Sequence, residues 1–115
     1  MSTWLYRVRP SRPAMLTEGP TPAEQEAVGR HFAYLQGLCR AGVMHLAGRT
    51  LNEDDEGFGI CIFSAEGKEE ARRLMESDPA VMAGVMQAQL FPYRVALLNT
   101  ASLADAAGLP APPPA

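Results

Sequence analysis

Polar and apolar positions alternate at the start of the chain. In "WLYRVR", residues 4–9, Trp4, Tyr6 and Val8 fall on one face and Leu5, Arg7 and Arg9 on the other. That period of two predicts a half-buried strand. Arg7 and Arg9 are then either solvated on a wet sheet face or line a polar cavity. The pattern breaks in "PSRPAMLTEGPT", residues 10–21, where three prolines and a glycine predict a long loop, either a functional flap or a tolerated insertion. "TPAE" restarts order. Thr21 is a good N-cap, Pro22 suits the first helical position and Glu24 completes a capping box. The helix should run to about Arg40, with Gly42 near its stop. Its expected apolar stripe is Val28, Phe32, Leu35, Leu38 and Cys39, which puts His31 at the stripe's edge and partly buried.

Two more strands follow, "VMHLAGRT" and "GFGICIFS", joined by the acidic turn "LNEDDEG". A second helix is expected from about Lys68 to Glu76, with Ala71, Leu74 and Met75 inward. "DPAVMAGVM" reads as a further short helical piece. "QAQLFPYRVALL" is the last strand, and Pro92, which has no N–H to give a ladder, favours an edge or a bulge there. The order strand, helix, strand, strand, helix, strand is the ferredoxin-like α+β plan, βαββαβ, with an antiparallel sheet and both helices on one face. The other face then has no cover within one chain, and a sheet carrying Phe58, Ile60, Ile62, Phe91, Tyr93 and Val95 is not expected to leave apolar residues on both faces in water, so a homodimer closing the open face is expected.

Composition narrows the picture. A chain of 115 residues holds one compact domain with a modest core. Residues 1–98 are assigned to it. Residues 99–115 form an Ala/Pro-rich tail with room for a short helix over 102–107 and an extended, poorly ordered end. Net charge is −3 and the ten basic residues are scattered, so no nucleic-acid partner is expected. No apolar run reaches the ~18 residues of a membrane span. The N-terminus lacks the order of a signal peptide, which points to the cytoplasm. Cys39 and Cys61 both lie in apolar segments and predict two buried free thiols rather than a disulfide.

Candidate chemistry centres on two residues. An imidazole titrates near neutral pH, so His31 is either a proton carrier or a core-edge histidine with one structural hydrogen bond. Asp78, in "SDPAVMAGVM", reads locally as an N-cap with Pro at the first helical position. The helix dipole would hold such a carboxylate ionised, so the cap reading and a chemical one are compatible. An ionised Asp beside His31 would orient the ring and stabilise its protonated form. His45 reads as a sheet-face residue. The histidines and cysteines make no recognisable metal set, and "EDDE", residues 53–56, lacks the spacing of a calcium loop. No metal is therefore expected. The glycines show no phosphate-cradling or dinucleotide pattern, so no cofactor is expected either. No G-x-S-x-G supplies a triad serine.

Taken in order, "RHFAYLQGLCRAG", "HLAG", "SDPAVMAGVM" and "LFPYRV" resemble the YCII-related (YciI-like) family of small bacterial proteins, over about residues 4–97. The resemblance implies a ferredoxin-like fold assembled as a dimeric α+β barrel. It also implies a His–Asp pair, here His31 and Asp78, acting as acid–base machinery on a small-molecule substrate. Isomerase, lyase or dehalogenase chemistry would fit such a pair. The chain departs from the pattern at Val28, where some relatives carry Arg, and at Arg49, where many carry Pro. Arg49 either binds an anionic substrate group, as guanidinium geometry allows, or is a solvated turn residue. Arg49 and Arg7 are the candidate substrate contacts. A non-catalytic binding module and a purely structural homodimer remain alternatives, since a fold alone licenses no reaction.

Overall fold

A computed structural model describes residues 1–110. Four strands, β1 (Ser2–Pro10), β2 (Met44–Arg49), β3 (Gly59–Ala65) and β4 (Met86–Pro92), form one antiparallel sheet in the order β2-β3-β1-β4. The helices are α1 (Ala14–Thr17), α2 (Pro22–Arg40), α3 (Lys68–Glu76), α4 (Pro79–Met82) and α5 (Thr100–Ala106). The fold class is the expected one, α+β and ferredoxin-like. The register explains the layering. Tyr6 pairs with Cys61 and Leu90, and Trp4 with Phe63, so these side chains share one face. Leu35 of α2 and Ala71 and Met75 of α3 join Tyr6, Val8, Cys61, Phe63 and Ala65 in a single buried cluster, which places both long helices on that face.

Helix α2 starts as its sequence dictates. The Thr21 side chain accepts from the Glu24 N–H, and Glu24 returns a bond to the Thr21 N–H. It ends with Gly42 at φ 77°, a left-handed value suited to glycine. The buried stripe differs from the expected one. Phe32 is 61% exposed and Cys39 is exposed, whereas Ala27, Leu35, Tyr34 and Leu38 face the core. At 100° per residue, Ala27, His31, Tyr34 and Leu38 fall within about 60° of one another, with Phe32 and Cys39 roughly 80–100° further round. Buried Leu35 falls about 40° beyond His31, so His31 lies inside the stripe and not at its edge, and only Cys61 of the two thiols is buried.

Three further segments differ in detail. The 10–21 stretch contains α1 and is tied down: Ser11 N–H donates to Val85 O, and Arg12 donates to Glu24 and to Gly19 O. β4 ends at Pro92, on an edge of the sheet, instead of running to Leu98. The short tail helix occupies Thr100–Ala106, capped by Asn99, slightly ahead of its expected span. The expected extended end of the tail, residues 111–115, lies outside the described residues.

Candidate active site

Three elements converge behind α2. β1 presents Tyr6 to the core face, α2 presents His31 and Tyr34, and the α3–α4 junction presents Asp78. Asp78 has extended backbone angles, φ −62° and ψ 123°, and Pro79 follows at the first helical position. Its Oδ1 accepts the Ala80 N–H at 3.0 Å, so it is an N-cap, as its sequence context suggests. The turn after α4 is fixed by Gly84 at φ 73° and by Val85 N–H donating to Ala80 O. That closure holds α4 against the start of β4 and keeps its N-terminal carboxylate in place.

The other oxygen of Asp78 faces the imidazole. His31 Nδ1 lies 2.6 Å from Asp78 Oδ2, and Tyr6 Oη donates to the same oxygen at 2.8 Å. Asp78 has no solvent exposure, and the His31 side chain retains 12%. A carboxylate can only accept, so the ring proton sits on Nδ1. Nε2 is then the free basic atom, with no protein hydrogen-bond partner among the described residues. Burial, then the neighbouring Cys61 and Asp78, push the Tyr6 phenol far above its ordinary range, so it is a fixed proton donor. Tyr34 donates to Leu74 O at 2.6 Å, fastening α2 to the last turn of α3, and burial raises its phenol to about 12. Cys61 shares this environment, and burial likewise pushes its thiol to about 12.

The structure thus brings His31 and Asp78 together and leaves Arg7 and Arg49 elsewhere. Arg7 lies on the opposite sheet face from Tyr6 and donates to Gln89. Arg49 closes β2, is exposed, and lines an open hollow of about 240 Å³ with Leu46, Gly48, Thr50, Phe58 and Ile60. Neither arginine bonds His31, Asp78 or Tyr6 among the described residues. His45 is exposed and paired with Ser64, 2.6 Å away. Among the described residues no three His, Cys, Asp or Glu side chains cluster in a way that would hold a metal ion, and no helix is long and apolar enough to cross a membrane. Sequence reasoning missed Tyr6 as part of the site. The signal was present, because a tyrosine on the buried face of a strand must find a partner for its hydroxyl.

A family model for the YCII-related domain matches residues 5–93. No curated protein matches the chain. Among solved structures, the 5-chloro-2-hydroxyhydroquinone dehydrochlorinase of Burkholderia phenoliruptrix AC1100, in complex with 2,5-dihydroxybenzoquinone, is 22% identical with a TM-score of 0.57. That alignment covers 79% of this chain and 93% of the dehydrochlorinase. A variant of SnoaB, a cofactor-independent oxygenase from Streptomyces nogalater, is 15% identical with a TM-score of 0.43, over 84% of this chain and 96% of the oxygenase. At such identities the first likeness speaks to the fold.

Proposed function

This chain belongs to the YCII-related domain family, and from that premise we propose that it is a small-molecule enzyme in which His31 moves a proton and Asp78 positions the ring. The observation that carries the reading is the 2.6 Å contact between His31 Nδ1 and the wholly buried Asp78 Oδ2. It fixes the tautomer and leaves Nε2 to take a proton from a substrate. The imidazolium so formed faces a carboxylate, which lowers the cost of the charge, and the proton returns to the product in the second half of the cycle. The working unit is residues 1–98, with 99–115 as an appended tail, and it operates as a cytoplasmic homodimer joined across the open sheet face. The substrate class is a small, hydroxylated cyclic or aromatic compound, a proposal supported by the ligand of the structurally similar dehydrochlorinase.

The experiment is a turnover screen of hydroxylated quinones and chlorinated hydroquinones, followed by variants on any hit. His31→Ala should reduce turnover ~10²–10⁴-fold, the usual range for a lost general acid or base. Unchanged turnover in that variant ends the proposal. A second reading, a non-catalytic small-molecule binder, draws on the hollow that Arg49 lines. Arg49 and, from the outward sheet face, Arg7 would then contact an anionic ligand. Such a ligand should raise the melting temperature of the wild type, less so in Arg49→Ala, and be recovered unchanged.

A further inference from the structure

Tyr6 and His31 donate to the same oxygen, Asp78 Oδ2, at 2.8 and 2.6 Å, while the second carboxylate oxygen is taken by the Ala80 N–H. Tyr6 and Asp78 are both fully buried, so no water competes for that oxygen from their side. The phenol ring is also fixed, packed edge-on against Phe63 with centroids 5.7 Å apart. We infer that Tyr6 is a positioning residue that sets the basicity of His31: by donating to the oxygen the imidazole uses, it draws charge off the carboxylate and holds the imidazolium less tightly. This rests on His31 being the proton carrier proposed above, and it adds how strongly the site is tuned to release that proton.

The surroundings make the inference testable. The titratable groups bonded to the pair or packed beside it include Tyr34 from α2, Tyr6 from β1 and Cys61 from β3; from α3, the Leu74 carbonyl accepts from Tyr34 and the Met75 carbonyl accepts from the Asp78 backbone N–H. Tyr34 and Cys61 are raised to about 12 and Tyr6 higher, so none of the three changes charge between pH 5 and 9. Over that window these three groups give the pair a constant background. The chain has two histidines, so His45→Gln assigns the two Cε1–H resonances, and the exposed His45 of β2, bonded to Ser64 of β3, is the internal reference.

The test is a proton NMR titration of the full chain. Tyr6→Phe should raise the His31 midpoint by roughly half to one pH unit, a fraction of the strength of one hydrogen bond to a carboxylate, with His45 unmoved. Tyr34→Phe, which removes a hydroxyl bonded to a carbonyl instead, should leave His31 where it is. An unmoved or lowered His31 midpoint in folded Tyr6→Phe overturns the inference. Should Tyr6→Phe fail to fold, 3-fluorotyrosine incorporated into a Tyr34→Phe/Tyr93→Phe background labels Tyr6 alone. A more acidic phenol donates more strongly, so the midpoint should fall, and an unmoved midpoint there also overturns it. The readout needs no substrate. A shifted midpoint in a protein without turnover keeps the tuning and removes the proposed chemistry, so the two failures are distinct.

Discussion

Asp78 accepts three hydrogen bonds on two oxygens while wholly buried. Each substitution there removes a different subset. Asp78→Ala removes the cap and leaves the Tyr6 hydroxyl and one imidazole nitrogen facing apolar surroundings. A lost cap costs about 1 kcal/mol and a buried unsatisfied hydroxyl about 1–3 kcal/mol, so urea denaturation should register a loss of about 2–4 kcal/mol. Asp78→Asn can keep the cap through its carbonyl oxygen. Its amide N–H then points at His31 Nδ1, which must accept, and the ring proton moves to Nε2. We expect a milder stability loss, about 1 kcal/mol, together with a switched tautomer visible in the ring nitrogen shifts and loss of any turnover. A stability loss as large as that of the alanine variant would count against this division. At this scale the sequence was informative about Asp78, because "DP" before apolar residues is a local signal. For Tyr6 it signalled only that a buried hydroxyl needs a partner, and not which one, because that partner lies 72 residues away.

Among the elements, α2 carries the site, and its N-terminus is held by two devices. One is the capping box, readable from "TPAE". The other is Arg12, which reaches from the preceding loop to the same Glu24 carboxylate and forms a salt bridge at 2.7 Å. No local rule connects residue 12 to residue 24, so the sequence offered a long loop where the structure has a strap. The Arg12 guanidinium, followed by the Thr21 backbone N–H, lowers the Glu24 carboxyl from 4.5 to about 2. A depressed carboxyl stabilises the folded state fully above its unfolded value, and the contribution is lost as pH falls through the folded one. The melting-temperature gap between wild type and Glu24→Gln should therefore be constant above about pH 5 and shrink towards zero near pH 2. A gap that persists to pH 2 would mean the strap does not act through this charge. The stripe of α2 holds a related lesson. Weighting Phe32 and Cys39 as core by residue type moved the expected centre away from His31. The sheet keeps Leu35 and Leu38, as expected, and adds Ala27 and Tyr34, a small and an amphipathic side chain that fit where a polar pair must also be accommodated.

For the whole molecule, the sheet order and the one-sided helix layer were legible in the strand and helix succession. They leave one face of the sheet open. There Leu5 pairs with Ile62 and Phe91, Ile62 with Leu46, and Arg7 with Ile60, so an apolar band crosses all four strands. Within it Arg7 Nε is buried without a partner. A donor left in that state favours an acceptor from outside the chain. This is the surface the proposed homodimer would use. Ile62→Lys places a charge in the middle of the band and faces away from His31 and Asp78. Sedimentation velocity should therefore show a shift from dimer to monomer, with the His31 ring resonance still that of the folded site. A wild type that sediments as a monomer at all concentrations would remove the dimer from the proposal.

The contact of Tyr6, His31 and Asp78 joins chain positions 47 and 72 residues apart. Such pairings form only after the long intervening loops have closed, which makes them late events for a chain rich in non-local strand contacts. No fragment lacking β1, α2 or the α3–α4 junction can contain the site. During refolding, the imidazole should acquire its native environment in the same step as the tertiary core, with no earlier phase. The same histidine that carries the proposed chemistry is therefore a built-in reporter of complete folding.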